Sequence, residues 1–536
     1  MKKLKLVCVA IAMAGAAPTF AGGLLTNTNQ HVAFNRMMSR EASIGIDGVY
    51  YNPAGVVFMG EGHHLAINWQ LAYQTRTINN DYKLFTNNVN NPITPRDFKG
   101  KAFAPVIPSF QYAYNKGKWS FQANFSLTGG GGKCTFDDGL GSFEKIVSET
   151  AIAACGLAGV VDQTLGNKLG QPGMEMFTSD QAFGKTGKYS FNSYMHGRQY
   201  YYGLSAGAAY KFCDNFSAFL GVRGVYALTN YYGYVENINV GNMPLYKVLD
   251  PTKENAANIE LSCDQTGVGF TPIIGVDYKT GRWNFSAKYE FKTRIRLKNK
   301  SVNQTPSIGN LPANLANQMT GILTARYQQA GLPLEQAKQQ AENTTNAVLN
   351  DPTVGATMMG LKTQFDQKLN KAIGEYEDGK KIAGDIPGYL ALGIGYSPVD
   401  AVRVNVGFHW FDDKNATSYN NRNKELKRGT LEYNAGIEVD VNKKITLSTG
   451  WQNTNYGLSD EYMDDKSFVV GSNSAAIGGV YHINKKMDLN VAYFHTFYQH
   501  KKTSETVQLA ADKSIVYNSD YTRNNNVFAV GLDINF

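Results

Sequence analysis

The chain closes with Phe528-Ala529-Val530-Gly531-Leu532-Asp533-Ile534-Asn535-Phe536. In an extended strand successive side chains point to opposite sides, so Phe528, Val530, Leu532, Ile534 and Phe536 share one face while Ala529, Gly531, Asp533 and Asn535 share the other. One face suits hydrocarbon, the other a polar interior. Segments of this kind, roughly ten residues long and ending at tight polar turns, recur along the chain, the pattern of an all-β transmembrane antiparallel barrel.

Six short turns punctuate the chain, at 115–118, 213–215, 279–282, 397–400, 442–444 and 484–486. Each joins two strands, so with a first and a last strand the count is about 14, an even number that leaves both ends on the periplasmic side. Tyr114, Tyr210, Tyr278 and Tyr396 stand just before four of the turns, where an amphipathic ring suits a membrane boundary. Outward faces read as Leu65, Ile67, Trp69, Leu71 and Tyr73; as Trp119, Phe121, Ala123, Phe125 and Leu127; and as Val402, Val404, Val406, Phe408 and Trp410.

Composition agrees with a barrel. Mean hydropathy is −0.32, no long apolar run after residue 21 marks a helical span, and 32 Tyr with 28 Phe can furnish interfacial girdles. With 536 residues and no break that marks a linker, one large barrel over 62–536 fits better than several soluble domains. Residues 1–21 read as a secretory signal: Lys2, Lys3 and Lys5, an apolar run from Leu6 to Ala17, then Thr19-Phe20-Ala21 before the cut. Losing those three lysines takes the formal charge from +8 to +5, too mild and too dispersed for a nucleic-acid partner. Cys134 and Cys155 fall in one long loop where an oxidising compartment permits a disulfide; the pairing of Cys213 and Cys263 stays open.

Connections on the other side are long, and those at 129–188 and 298–384 carry helical periodicity. Phe143, Ile146, Val147, Thr150 and Ala154 form one apolar stripe. Leu315, Met319, Ile322 and Leu323 form a second, and Met358, Leu361, Phe365, Leu369, Ile373 and Tyr376 a third. The stripes either pack on one another as a loop core or also leave an outward apolar groove where a greasy ligand is first captured.

The stretch 22–61 is too long for a simple lead-in to the first strand, and the lumen is the available place for it. It starts Gly22-Gly23-Leu24-Leu25 and carries Asn52-Pro53-Ala54-Gly55 just before strand one. Signal, Gly-Gly-Leu-Leu start, Asn-Pro-Ala-Gly turn, fourteen or so strands and terminal Phe536 together resemble the long-chain fatty acid transporter family of Gram-negative outer membranes, which includes importers of aromatic hydrocarbons. Thr26-Asn27-Thr28-Asn29-Gln30 and the long helical loops resemble a Bacteroidetes-type branch of it.

The resemblance implies a barrel with an N-terminal hatch over 22–61, an extracellular capture groove, an internal pocket, and exit through a lateral gap made by an inward kink in strand three. Gln122, Asn124 and Ser126 of that strand face the lumen, and Gly129 to Gly132 end it. Leu24 and Leu25 become ligand contacts, and Asn52, Pro53 and Ala54 a hatch motif that either merely ends the hatch or takes part in opening the wall. Also implied are a monomer inserted by the barrel assembly machinery among outer-membrane lipid and lipopolysaccharide, uptake of hydrophobic small molecules (fatty acids or aromatic compounds), and no cofactor or metal.

Two places could hold a ligand carboxylate. Outward Phe285, Ala287, Tyr289, Phe291, Ile295 and Leu297 on strand seven put Lys288, Lys292, Arg294, Arg296, Lys298 and Lys300 on the lumen side. Lys292 and Arg294 then fall near the outer rim, with Lys298 and Lys300 beyond it, toward lipopolysaccharide phosphates or water. Arg223 on strand five is inward between apolar Phe219 and Val225, where it either binds a fatty acid head or pairs with an internal carboxylate. A general porin would need an open lumen, which the hatch argues against. An enzyme is not expected, since inward His64, His409 and His482 lie on different strands with no evident Ser or Asp partner.

Overall fold

A computed structural model describes residues 24–306, 308–510 and 513–536; the reading of 1–21 as a signal lies outside the described residues. Fourteen barrel strands follow one another: β1 (Gly62–Tyr82), β2 (Arg96–Lys116), β3 (Trp119–Phe136), β4 (Tyr189–Cys213), β5 (Phe216–Val240) and β6 (Ile259–Thr280). Next come β7 in two pieces (Trp283–Glu290 and Arg296–Gln304), β8 in two pieces (Lys381–Ala383 and Tyr389–Val399), β9 (Val402–Phe411) and β10 (Thr430–Asn442). The set ends with β11 (Ile445–Asn455), β12 (Ser472–Asn484), β13 in two pieces (Met487–Tyr498 and Lys501–Ala510) and β14 (Lys513–Asn535). Neighbours pair antiparallel, and β1 closes the cylinder on β14 with Leu65 opposite Ile534 and Trp69 opposite Val530. Closure pairs the first strand with the last, so neither end of the strand order is left as a free edge.

The alternation carries through. Ile67, Trp69, Phe121, Leu220, Ile274, Val406 and Phe528 are exposed outward, while Asn68, Gln70, Gln111 and Asn124 are buried. Tyr396 stacks on Trp283 (4.3 Å between ring centroids) and Tyr210 packs on Trp119 (4.7 Å) at the short-turn end. Leu127, expected on the lipid face, is instead buried in a cluster with Met38, Ala104 and Ile107, just before β3 bulges between Leu127 and Gly129 and between Gly130 and Gly132.

Strand β7 departs from its expected parity. Lys288 and Glu290 are buried, but past the irregular stretch at 291–295 the buried residues are Thr293, Ile295, Leu297 and Asn299. Arg294, Arg296, Lys298 and Lys300 therefore face outward. The cause lies on β6: a Cβ at Gly267 would meet Ile295 Cγ2 at 2.8 Å and one at Gly269 would meet Thr293 Cγ2 at 2.6 Å, so these glycines leave the inward room that the apolar side chains fill.

Helices occupy the long connections. α3 (Gly141–Leu169) precedes β4, α4 (Tyr246–Leu249) precedes β6, and α5 (Leu311–Gln329), α6 (Leu334–Leu349) and α7 (Pro352–Ile373) lie between β7 and β8 when the N-terminal α1 (Val32–Met37) and α2 (Gly48–Tyr51) are numbered first. Phe143, Val147, Leu315, Met319, Leu323 and Tyr376 join one buried apolar cluster, whereas Ile322 is exposed. α3 has the length and hydropathy of a membrane span, but its apolar side is buried in this cluster. β3 runs on to Phe136, so Cys134 sits on the strand and not in the loop; Cys134, Cys155, Cys213 and Cys263 are free thiols.

Candidate functional site

Residues 24–59 lie within the cylinder. α1 contacts β10 through β14 and also β1, so it is ringed by the wall. His31 caps it, Nδ1 accepting from the Ala33 N–H at 2.9 Å. Gly436 and Gly450 let the wall approach the helix end, where a Cβ at either would collide with the Met37 carbonyl. Ion pairs hold the rest. Arg36 reaches Glu438 and donates to Ser448 at 2.9 Å, Arg40 pairs with Asp47 at 2.6 Å, and His409 bridges Glu41 (2.7 Å) and Glu432 (2.8 Å).

The Asn-Pro-Ala turn is fastened to three strands. Asn52 Nδ2 donates to Asp277 of β6, Pro53 O accepts from Gln122 Nε2 of β3 at 2.7 Å, and Ala54 O accepts from Ser217 Oγ of β5 at 2.7 Å. Asn52 Oδ1 also accepts the Gly55 N–H at 3.1 Å, closing the turn on itself.

Beside this turn the wall has a break. β2 and β3 pair from Lys116 opposite Trp119 to Phe110 opposite Phe125, and again from Phe103 opposite Lys133, but not between. In the gap β2 has Pro105 and Pro108, neither able to donate a ladder hydrogen bond. β3 stays stitched to β4 through its bulges, with Gly130 at φ 70° and Gly131 at φ 127°, backbone shapes that favour glycine. The carbonyls thus released point to the N-terminal segment. Asn27 Nδ2 donates to Leu127 O (3.2 Å) and Gly130 O (2.7 Å), the Asn27 N–H donates to Thr128 O (2.9 Å), and Gln30 Nε2 donates to Leu127 O (2.9 Å). From β2, Ser109 Oγ (2.7 Å) and Gln111 Nε2 (3.0 Å) donate to Gln30 O. Residues 26–30 stand in for the missing ladder and cover the gap from inside. Ala104, Ile107 and Leu127, around the gap, cluster with Met38 and Phe494 as an apolar patch.

Above the segment lies a lumen cavity of ≈ 200 Å³ lined by both Leu24 and Leu25, with Tyr201, Leu297, Phe468 and Arg523. A second cavity, ≈ 140 Å³ and apolar, opens among the loop helices between Val147, Leu157, Phe177, Leu249, Leu315 and Leu361. The other expected ligand contacts fall elsewhere. Arg223 is buried with its fork filled by Glu290 (2.6 and 2.9 Å), and Lys288 holds the same carboxylate at 2.9 Å. Of the two readings open for Arg223, internal pairing is the one realised; Glu290, sharing the inward parity of Lys288, was the readable signal for it. Lys292 donates to Asn415 O at 3.0 Å in the loops, and Arg294 is exposed on the outer face. The inward histidines do have partners: His64 bonds Asn535, and His482 bridges Asp488 (2.7 Å) and Thr446 (3.0 Å). The Thr446 hydroxyl donates to Asp440 at 2.6 Å, so His482 is not placed to take its proton.

No family model matches the chain, and no curated protein matches it. Solved structures do. A FadL homologue from Pseudomonas aeruginosa superposes with a TM-score of 0.57 at 14% identity, over 96% of this chain and 100% of that one. The chain has the fold of the FadL-type barrels. The TodX deltaS2S3 mutant, a monoaromatic hydrocarbon channel, aligns with the chain at a TM-score of 0.50 and 12% identity, over 94% of this chain and 99% of the other.

Proposed function

We propose that this FadL-type barrel is an outer-membrane channel for passive uptake of hydrophobic molecules, long-chain fatty acids first and aromatic hydrocarbons second. A ligand enters the apolar cavity among the loop helices, passes to the lumen pocket at Leu24 and Leu25, and leaves sideways through the β2–β3 gap once residues 26–30 withdraw. Residues 22–61 are then a hatch, and the chain works as a monomer in lipid. The observation that carries this reading is the replacement of the missing ladder by Asn27 and Gln30: the gap is shut by a separable segment and not by the wall itself. A lipid-facing exit suits cargo whose stable destination is the membrane. The likeness to a FadL homologue and a hydrocarbon channel supports the same class of cargo.

Uptake of labelled palmitate into cells producing the protein, set against permeation of a small sugar into liposomes, tests the reading. Palmitate uptake with sugar exclusion is expected. Sugar permeation without palmitate uptake would replace it with a general porin.

A further inference from the structure

Arg76 on β1 and Arg523 on β14 are direct cross-strand partners, both inward, with relative exposures of 0% and 6%. Like charges directly opposite destabilise a sheet, and a buried charge is costly unless something opposite in sign meets it. Arg76 Nε donates to Gln74 Oε1 at 3.1 Å, yet its Nη1 and Nη2 have no hydrogen-bond partner, and Arg76 makes no ion pair among the described residues. Arg523 is held in place by a hydrogen bond to Tyr498 and by the ring of Phe468, 5.3 Å from its guanidinium carbon. One guanidinium is positioned, and the other presents an unmet two-nitrogen fork.

We propose that Arg76 and Arg523 form an anion site that takes the carboxylate of an amphiphilic ligand, whose apolar tail lies in the adjoining lumen pocket. The fork geometry matches a planar carboxylate with two parallel hydrogen bonds. A tail has somewhere to go, because Arg523 and Phe468 line a mixed pocket in which Leu24, Leu25, Tyr201, Leu297 and Ile382 supply apolar surface. Two carboxyls of that pocket are already engaged, Asp385 by Arg296 (2.9 Å) and the Ile295 N–H (3.1 Å), and Asp413 by the N–H groups of Leu24 (3.2 Å) and Thr430 (2.9 Å). Arg223, the cation that strand alternation singles out, already holds Glu290. This site rests on the transport reading and deepens it by naming the ligand's head group.

The test measures binding of palmitate, methyl palmitate and acetate to the full mature chain in a nonionic detergent. Wild type is expected to prefer palmitate over its methyl ester by roughly 10-fold or more, one tenfold step being the size of a single charge-assisted contact, with acetate displacing neither. Arg76→Gln should erase the preference while leaving ester affinity within about twofold, and Arg76→Lys should restore part of it. A preference intact in both folded Arg76→Gln and folded Arg523→Gln would overturn the site. Acetate displacing palmitate at equal concentration would also overturn it, as a small-anion site needs no tail pocket. If the variants do not fold, the wild-type comparison decides: equal affinity for acid and ester removes the anion site alone, whereas binding of neither removes the transport reading too.

Discussion

Gln122 Nε2 of β3 donates a 2.7 Å hydrogen bond to the Pro53 carbonyl, tying the strand that bounds the wall gap to the turn of the lumen segment. Both ends are buried, so breaking the tie strands a carbonyl at a cost of about 1–3 kcal/mol. Gln122→Leu is therefore expected to loosen residues 52–59 without unfolding the barrel. Faster amide exchange at Asn52 and Gly55, with an unchanged heat-modifiable gel shift, is the outcome to look for; unchanged exchange would mean that Asp277 and Ser217 hold the turn unaided.

Removing the whole segment goes further. A chain lacking 22–61 is expected to keep its strand pairing, which among the described residues runs through the segment only at the Thr26–Gly129 bridge. Single-channel conductance should rise and selectivity for hydrophobic cargo should vanish. Unaltered conductance would show that these residues do not limit the lumen.

Arg223→Met separates a structural cation from a ligand contact. It leaves Glu290 with Lys288 alone in a buried setting, so stability toward urea in detergent should fall by on the order of 3 kcal/mol. Palmitate affinity of the folded fraction should stay within about twofold. A selective loss of palmitate over hexadecanol would return Arg223 to the ligand site.

Asp413, in the loop after β9, accepts from the Leu24 N–H (3.2 Å) and the Thr430 N–H (2.9 Å), and burial pushes its carboxyl up from 3.8 to about 6. The folded state then binds the proton more tightly than the unfolded one. Its contribution therefore falls as pH rises from about 4 to about 6 and stays lowered above that. Thermal stability of wild type minus that of Asp413→Asn should decline over this window. A flat difference would mean that Asp413 titrates normally.

Much of the barrel is legible in single strands. The alternation of Phe528–Phe536 and the turn at 279–282 hold in the fold as they read in the chain, because each depends on local periodicity and turn chemistry. What resists reading depends on neighbours. The run Gly129–Gly132 reads as a strand end, yet pairing with β4 carries β3 through it to Phe136. The parity reversal in β7 is set by Gly267 and Gly269 on β6, which no pattern within 283–304 reports. Likewise Arg76 and Arg523, hundreds of residues apart, meet only through the register of the closing strand pair. Leu24 and Leu25 line a lumen cavity, while Asn27 and Gln30 stood out in the chain only as a polar stretch.

Sideways release controlled by residues 26–30 can be tested by locking them to β3. Asn27 and Thr128 lie opposite each other, next to the Thr26–Gly129 bridge and joined by the 2.9 Å Asn27 N–H to Thr128 O bond, so their Cα atoms fall within about 5.5 Å, suited to a disulfide. In cells carrying Asn27→Cys with Thr128→Cys, labelled palmitate uptake and surface binding are measured before and after reduction. Expected is intact binding with uptake abolished in the oxidised state and restored on reduction. Normal uptake in the fully oxidised state would contradict exit through the β2–β3 gap.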